Sequence, residues 1–174
     1  MTSKLIVDSI EGRTGATVSL PVDTNYVLEQ WRLTTNEAVS GNIVDNWERV
    51  DDASSSSINA GMTQSSGVFT FPSTGLWLVT AQVAIYLDSD GTAGVYIQVS
   101  SNSGGAYDDV GVVYEGGDSA ANQSGAMSVL VNVTNASTFR YQLKADSISS
   151  GSAIVGDTAY NRTALLFERK GPSQ

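Results

Sequence analysis

Residues 67–86 read Gly-Val-Phe-Thr-Phe-Pro-Ser-Thr-Gly-Leu-Trp-Leu-Val-Thr-Ala-Gln-Val-Ala-Ile-Tyr, the most hydrophobic stretch of the chain. From Trp77 onward every odd position is apolar: Trp77, Val79, Ala81, Val83 and Ile85. The even positions are mixed, with Leu78, Thr80, Gln82, Ala84 and Tyr86. A period of two carried by β-branched and aromatic residues specifies a strand and rules against a helix. Apolar residues on both faces place that strand centrally, with one face on a core and the other partly covered. Pro72-Ser73-Thr74-Gly75 just before it predicts a sharp corner, because Pro72 fixes φ and lacks an N–H while Gly75 has access to positive φ.

The rest of the chain repeats this theme in shorter pieces. Strands are expected over 26–34, 46–50, 92–101, 107–114, 126–133, 138–145 and 160–168. Between them lie polar, Ser- and Gly-rich connections such as 35–42, 51–57, 115–123 and 146–157. The cleanest alternation is at 138–145, where Phe139, Tyr141, Leu143 and Ala145 face inward and Thr138, Arg140, Gln142 and Lys144 face water. Val129, Val131 and Val133 should likewise point inward. About ten short strands, no window of helical period and no fixed-length repeat predict an all-β antiparallel two-sheet sandwich with Greek-key connections. An immunoglobulin-like sandwich is the structural runner-up, although its Cys–Trp–Cys framework is absent.

At 174 residues the chain is long enough for one well-filled core. It contains no Cys and no His, which removes disulfides, thiolate or imidazole metal sites, Ser-His-Asp and Cys-His catalysis, and any imidazole pH switch. Eighteen acidic against nine basic residues give a net charge of −9, which favours solubility and opposes nucleic-acid binding. No phosphate loop, dinucleotide fingerprint or nucleophile elbow occurs. The adjacent carboxylates Asp51-Asp52 and Asp108-Asp109 would point to opposite faces of a strand, so neither pair makes an acid/base dyad. No cofactor is therefore expected. A structural divalent cation at Asp88, Asp90 or the Asp108-Asp109 loop has no motif behind it, since the position that would close a calcium loop begun at Asp88 is Val99. The first residues lack the apolar run of a secretion signal, and no run approaches a membrane span. The expectation is therefore a protein made in a cytosol without membrane insertion.

The spacing Phe69, five residues, Gly75, one residue, Trp77, one residue, Val79 resembles the signature of the complement globular-head family, which writes Phe, Gly, Tyr and Phe at these positions. Trp77 thus stands for Tyr and Val79 for Phe, and Met62 occupies a position where an aromatic or Leu is usual. The strand–turn–strand around Thr134-Asn135-Ala136-Ser137 is similar to that family's late hairpin. The resemblance implies a jelly roll of the tumour-necrosis-factor type that assembles as a homotrimer. The strands over 26–34 and 160–168, apolar on both faces, supply a physical motive for such an interface. Trp31, Leu33, Tyr160, Leu165 and Phe167 are its candidate residues.

Residues 1–21 form an arm ahead of the jelly-roll domain of residues 22–170, and residues 171–174 a short tail. Two short strands around a Thr-Gly turn do not hold together alone in water, so the arm must dock on something. Its apolar residues Leu5, Ile6, Val7, Ile10, Val18 and Leu20 are the candidate anchors. The arm resembles the N-termini of virion proteins of marine and freshwater tailed bacteriophages. That likeness implies a structural protein located in the virion: a capsid decoration or cement protein docked on the major capsid protein or another virion protein. Alternatively it implies a tail-fibre or head-fibre receptor-binding protein for host attachment. The absence of a heptad or collagen-like shaft favours decoration. A free carbohydrate-binding module, for which Trp31, Trp47, Tyr107 and Tyr114 would be the aromatic platform for a host surface glycan, is a third reading. An enzyme such as a depolymerase would need a carboxylate pair in a groove.

Overall fold

A computed structural model describes residues 25–88, 90–117, 120–149 and 151–174. Among these residues there are strands and turns but no helix. The strands are β1 (Leu28–Leu33), β2 (Gly41–Asn42), β3 (Trp47–Arg49), β4 (Thr63–Ser65), β5 (Val68–Thr70), β6 (Gly75–Leu87), β7 (Thr92–Ser100), β8 (Asp108–Gly116), β9 (Ala121–Val133), β10 (Arg140–Asp146), β11 (Ala153–Ile154) and β12 (Ala164–Gly171). They form two antiparallel sheets. The first joins β11, β6, β12, β1 and β3, with β9 also on β6, and the second joins β4, β5, β10, β7 and β8, with β2 also on β10.

The jelly roll arises because consecutive strands change sheets. The corner at residues 71–74 carries the chain from β5 in the second sheet to β6 in the first. Residues 88–91 carry the chain from β6 back to β7 in the second sheet. β9 and β10 likewise lie in different sheets, so the late hairpin of the resemblance is a crossover here. Local turn chemistry marks where the chain reverses, but whether the next strand pairs or crosses is decided by which face has apolar surface left to bury.

β6 is an interior strand of the first sheet, paired on both edges. It pairs with β9 along its whole length, from Gly75↔Val133 to Leu87↔Ala121. On its other edge it takes β12 from Leu76 to Gln82 and β11 at Ile85 and Tyr86. Trp77, Val79, Ala81, Val83, Ile85 and Leu87 are fully buried. Gly75 is needed for space: a Cβ there would lie 2.7 Å from Arg169 Nε and 2.8 Å from the Gly171 carbonyl oxygen.

The two sheets meet in an aromatic cluster centred on Phe69. Its ring lies 5.5 Å from Trp31, 5.5 Å from Trp47, 6.3 Å from Tyr141 and 5.3 Å from Phe167. Phe71 extends the cluster to Trp77 and Phe139. Edge-to-face pairs of this kind add to what burial alone contributes.

β1 carries two buried charges on opposite faces. Glu29 points inward, where its carboxylate accepts bonds from Trp31 Nε1 (2.7 Å), Arg49 Nε (2.8 Å), Gly61 N (2.7 Å) and Met62 N (3.0 Å). Arg32 points outward and donates to Glu48 (2.6 Å), Asp52 (2.7 Å) and Asp51 (3.0 Å), which close over it. Both groups meet the requirement that a buried charge be paired and hydrogen-bonded.

Several sequence expectations shift. The last strand begins at Ala164 rather than at residue 160, and it continues through Arg169 and Lys170 to Gly171. Gln174 docks on β9 through Asn132. β8 and β9 extend into the expected 115–123 loop and leave only residues 117–120 between them. Gln142, expected to face water, is buried in a polar ladder: its Nε2 donates to Asn42 and Gln98, and Gln98 donates to Asp109.

Replacing Phe69 by Ala should lower the unfolding free energy by about 3–5 kcal/mol, the usual range for deleting a fully buried aromatic ring. Urea denaturation checks this; a loss below about 1 kcal/mol would remove Phe69 from the centre of the core.

Candidate functional site

The first sheet has one face in the core and one turned outward. Across the outward face the register aligns Leu130 on β9, Leu78 on β6, Glu168 on β12 and Leu28 on β1. The next row is Ser128, Thr80, Leu166 and Gln30, with Thr80 and Ser128 hydroxyls bonded at 2.7 Å. Leu130 is 59% exposed, and Leu28, Leu78 and Leu166 are half-buried. This face lies at the pole where β1 begins and β12 ends.

Further along the same face is a small cleft of about 240 Å³. Its floor is Gln82 and Ala84 of β6 with Asn122 and Ser124 of β9, and its wall is Asn161 and Arg162. From Leu76 to Ala84 the strand rise sets the cleft about 26 Å from the amino-terminal pole. The cleft exists because the chain leaves the sheet between β11 and β12, opening a gap beside Ala84. Thr163 bridges that gap: its Oγ1 accepts from Ala84 N at 3.1 Å and donates to Ala84 O at 3.4 Å.

The wall is held firmly. Asp157 N donates to Leu33 O at 2.9 Å, and Gln82 Nε2 donates to Asn161 O at 3.2 Å. The Asp157 carboxylate accepts from Ala159 N at 2.8 Å and pairs with Arg162 Nε at 3.4 Å. The Ala159 N–H, followed by Arg162, holds the Asp157 carboxyl below its usual range. Gly156 has no space for a side chain, since a Cβ would lie 2.3 Å from the Thr35 carbonyl oxygen. Asn161 Oδ1 is buried and has no hydrogen-bond partner among the described residues. Tyr86 stands in register opposite Asn122, and Tyr160, next to Asn161, is 67% exposed.

Phe69, Trp77 and Val79 of the signature lie in the core, with Gly75 at the start of β6. The arm residues Leu5, Ile6, Val7, Ile10, Val18 and Leu20 lie outside the described residues. Of the candidate interface residues, Trp31, Leu33, Leu165 and Phe167 face the protomer's own core and offer no surface to a partner. The outward residues of those strands are the ones between them, Leu28, Gln30 and Leu166. Tyr160 is exposed but sits in the segment before β12, not in a strand. Trp31 and Trp47 are buried and make no sugar platform. Tyr107 is half-buried; Tyr114 is 52% exposed on the second sheet, bonded to the Tyr96 hydroxyl and seated over Gly94.

Asp88 and Asp90 precede β7, while Asp108 pairs with Val99 near its far end, so these carboxylates do not converge. Asp90 is bonded to Ser149, and no group of three metal-ligating side chains occurs among the described residues. The cleft was missed in the sequence because its walls come from three distant segments joined only by sheet register. The one local trace is the polar even face of β6 beyond Leu78.

Comparison with known proteins gives the fold. Murine APRIL, in a crystal structure at pH 5.0, superposes with a TM-score of 0.65 at 12% identity over 84% of this chain and 100% of that one. The Eiger TNF of S. frugiperda does so with a TM-score of 0.65 at 13% identity over 86% and 95%. The fold is a jelly roll like that of the tumour necrosis factor proteins. No family model and no curated protein matches the sequence.

The depressed Asp157 pKa stabilises the fold above the unfolded value of about 4 and is lost as pH falls through the lower folded value. Asp157→Ala should therefore lower the thermal midpoint at neutral pH and lower it less at about pH 3. A gap that stays constant with pH would show that the carboxylate does not hold the wall.

Proposed function

We propose that this chain is a structural subunit of a bacteriophage particle. Copies associate as a trimer through the β9 edge and the outward face of the first sheet, and the segment ahead of β1 anchors the assembly on the major capsid protein as a decoration or cement protein. The observation that carries the self-association is β9. It is a 13-residue strand with no charged residue and no proline, in a chain of which 16% is charged. It pairs with β6 and, among the described residues, with no other strand. Long edge strands of solitary proteins are normally guarded by lysine, proline or a bulge; an unguarded one suits a strand that a partner covers. The exposed Leu130 and its neighbours Leu78, Leu28 and Leu166 provide the apolar centre of such an interface. The trimeric count and the particle rest on the sequence resemblances. The arm's attachment beside this interface supports them, since three arms would leave one pole together.

A second reading, a fibre or receptor-binding head for host attachment, is favoured by the cleft, which sits away from the anchoring pole.

Light scattering should return three times the 18.3 kDa of one chain, and Leu130→Glu should reduce that to one chain while circular dichroism stays unchanged. A wild-type monomer at micromolar concentration would overturn the self-association. Removing residues 1–20 should leave the oligomer intact and abolish its incorporation into particles, scored by mass spectrometry of purified virions. Normal incorporation of the truncated chain would exclude the arm as the anchor.

A further inference from the structure

We propose that Tyr96 on β7 and Tyr114 on β8 form an oxidative cross-linking site, at which a one-electron oxidant joins the two phenols through a carbon–carbon bond. The rings meet edge to face, with centroids 5.9 Å apart and planes at 82°. Their hydroxyls are hydrogen-bonded to each other. Val95 and Ile97, on either side of Tyr96, are fully buried, which turns Tyr96 to the outer face of the second sheet. The register explains why the two phenols meet there. Tyr114 stands opposite Gly94 and Tyr96 opposite Val112, so the tyrosines are diagonal neighbours across the strand pair. Gly94 has no side chain, and the Tyr114 ring lies over its backbone. A Cβ there would be 2.5 Å from Tyr114 Cε1 and 2.7 Å from its Cδ1. Tyr114 is 52% exposed, so an oxidant in solution reaches it, and Tyr96 is half-buried beside it.

The chemistry needs no other group of the protein. Each phenol gives up one electron and its hydroxyl proton, and the radical left behind spreads onto the Cε carbons beside the hydroxyl-bearing carbon. One Cε of each ring then bonds to the other. Each ring regains aromaticity when that Cε loses its hydrogen as a proton and the phenol oxygen takes one up. The chain loses two hydrogen atoms for the one bond made, and both electrons pass to the oxidant. Two radicals in solution must first find each other; rings already held together skip that search. Among the described residues no other two tyrosine rings are in contact. Tyr141 is fully buried against Phe69 and Phe167, and Tyr26 donates its hydroxyl to Glu168. The chain also lacks Cys, whose thiol would quench a phenoxyl radical. The product ties β8 to β7. Among the described strands β8 pairs with β7 alone, and their register shifts beside Ile97. A covalent tie at such an edge resists local opening of the sheet.

The pair lies on the second sheet, away from the face assigned to self-association, so it stays open to oxidant in the assembled protein. The full-length chain at micromolar concentration is illuminated with tris(bipyridine)ruthenium and limiting persulfate, which takes up the two electrons and ends as sulfate. The chains are then denatured and separated by size, and the fluorescence of the joined phenols, dityrosine, is measured in each band. It should appear in the single-chain band. Mass spectrometry should place the bond between Tyr96 and Tyr114 with the loss of two hydrogen atoms. Tyr96→Phe and Tyr114→Phe should each lower the single-chain fluorescence by about tenfold or more, since the phenol that remains has no neighbour held in place. Tyr107→Phe and Tyr160→Phe should leave it unchanged. Each variant deletes one hydroxyl outside the core, and circular dichroism checks that the fold is kept. A single-chain band that stays dark overturns the proposal, as does fluorescence confined to covalently joined chains. So does a bond that maps to Tyr107 or Tyr160, or a wild-type yield from both Tyr96→Phe and Tyr114→Phe.

Discussion

The structure depends on the contact that Phe69 makes across the gap between its sheets. The ring belongs to a three-residue strand of the second sheet, yet Trp31, Trp47 and Phe167 from three strands of the first sheet close around it. Side-chain packing holds the sheets face to face, helped by hydrogen bonds from Gln64 Nε2 to the Trp47 carbonyl oxygen (3.4 Å) and from Gln123 Nε2 to the Gly116 carbonyl oxygen (2.8 Å). The first sheet is thereby held with its other face outward, and that outward face carries both the Leu130 row and the polar cleft.

Buried charge fixes the register that packing alone would leave loose. A one-residue slip of β1 would turn Glu29 out and drive Arg32 into the aromatic cluster, stranding both from the groups that now satisfy them. Few apolar residues would give so sharp a penalty. The same logic explains why Arg49 and the Gly61-Met62 backbone converge on Glu29 from outside the strand.

The class of fold was legible because period-two alternation reports a physical face. Trp77 through Ile85 and Phe139 through Ala145 are buried as their pattern predicts. What was not legible was which face belongs to which neighbour. Strands with apolar residues on both sides invite a wrong parity, and this happened in β1 and β12. Leu33, Leu165 and Phe167 face the protomer's own core, whereas the outward positions are held by Leu28 and Leu166. Gln142 misled in the opposite sense: a polar residue on the outer face of a strand is buried when Asn42, Gln98 and Asp109 satisfy it across the sheet. The cleft was invisible for a topological reason. Gln82, Asn122 and Asn161 are separated by about forty residues at each step, and only the register β6↔β9 and the gap between β11 and β12 bring them together.

The start of β1 and the C-terminus share one pole. Leu28 is paired with Glu168, and Gln174 rests on Asn132 near the end of β9. A polypeptide fused after Gln174 would therefore leave from the pole where β1 begins, while the cleft beside Ala84 stayed clear of it. For anyone wishing to couple this domain to a bead, a dye or a second protein, the C-terminus serves as a handle at that pole, and the cleft beside Ala84 lies away from the attachment.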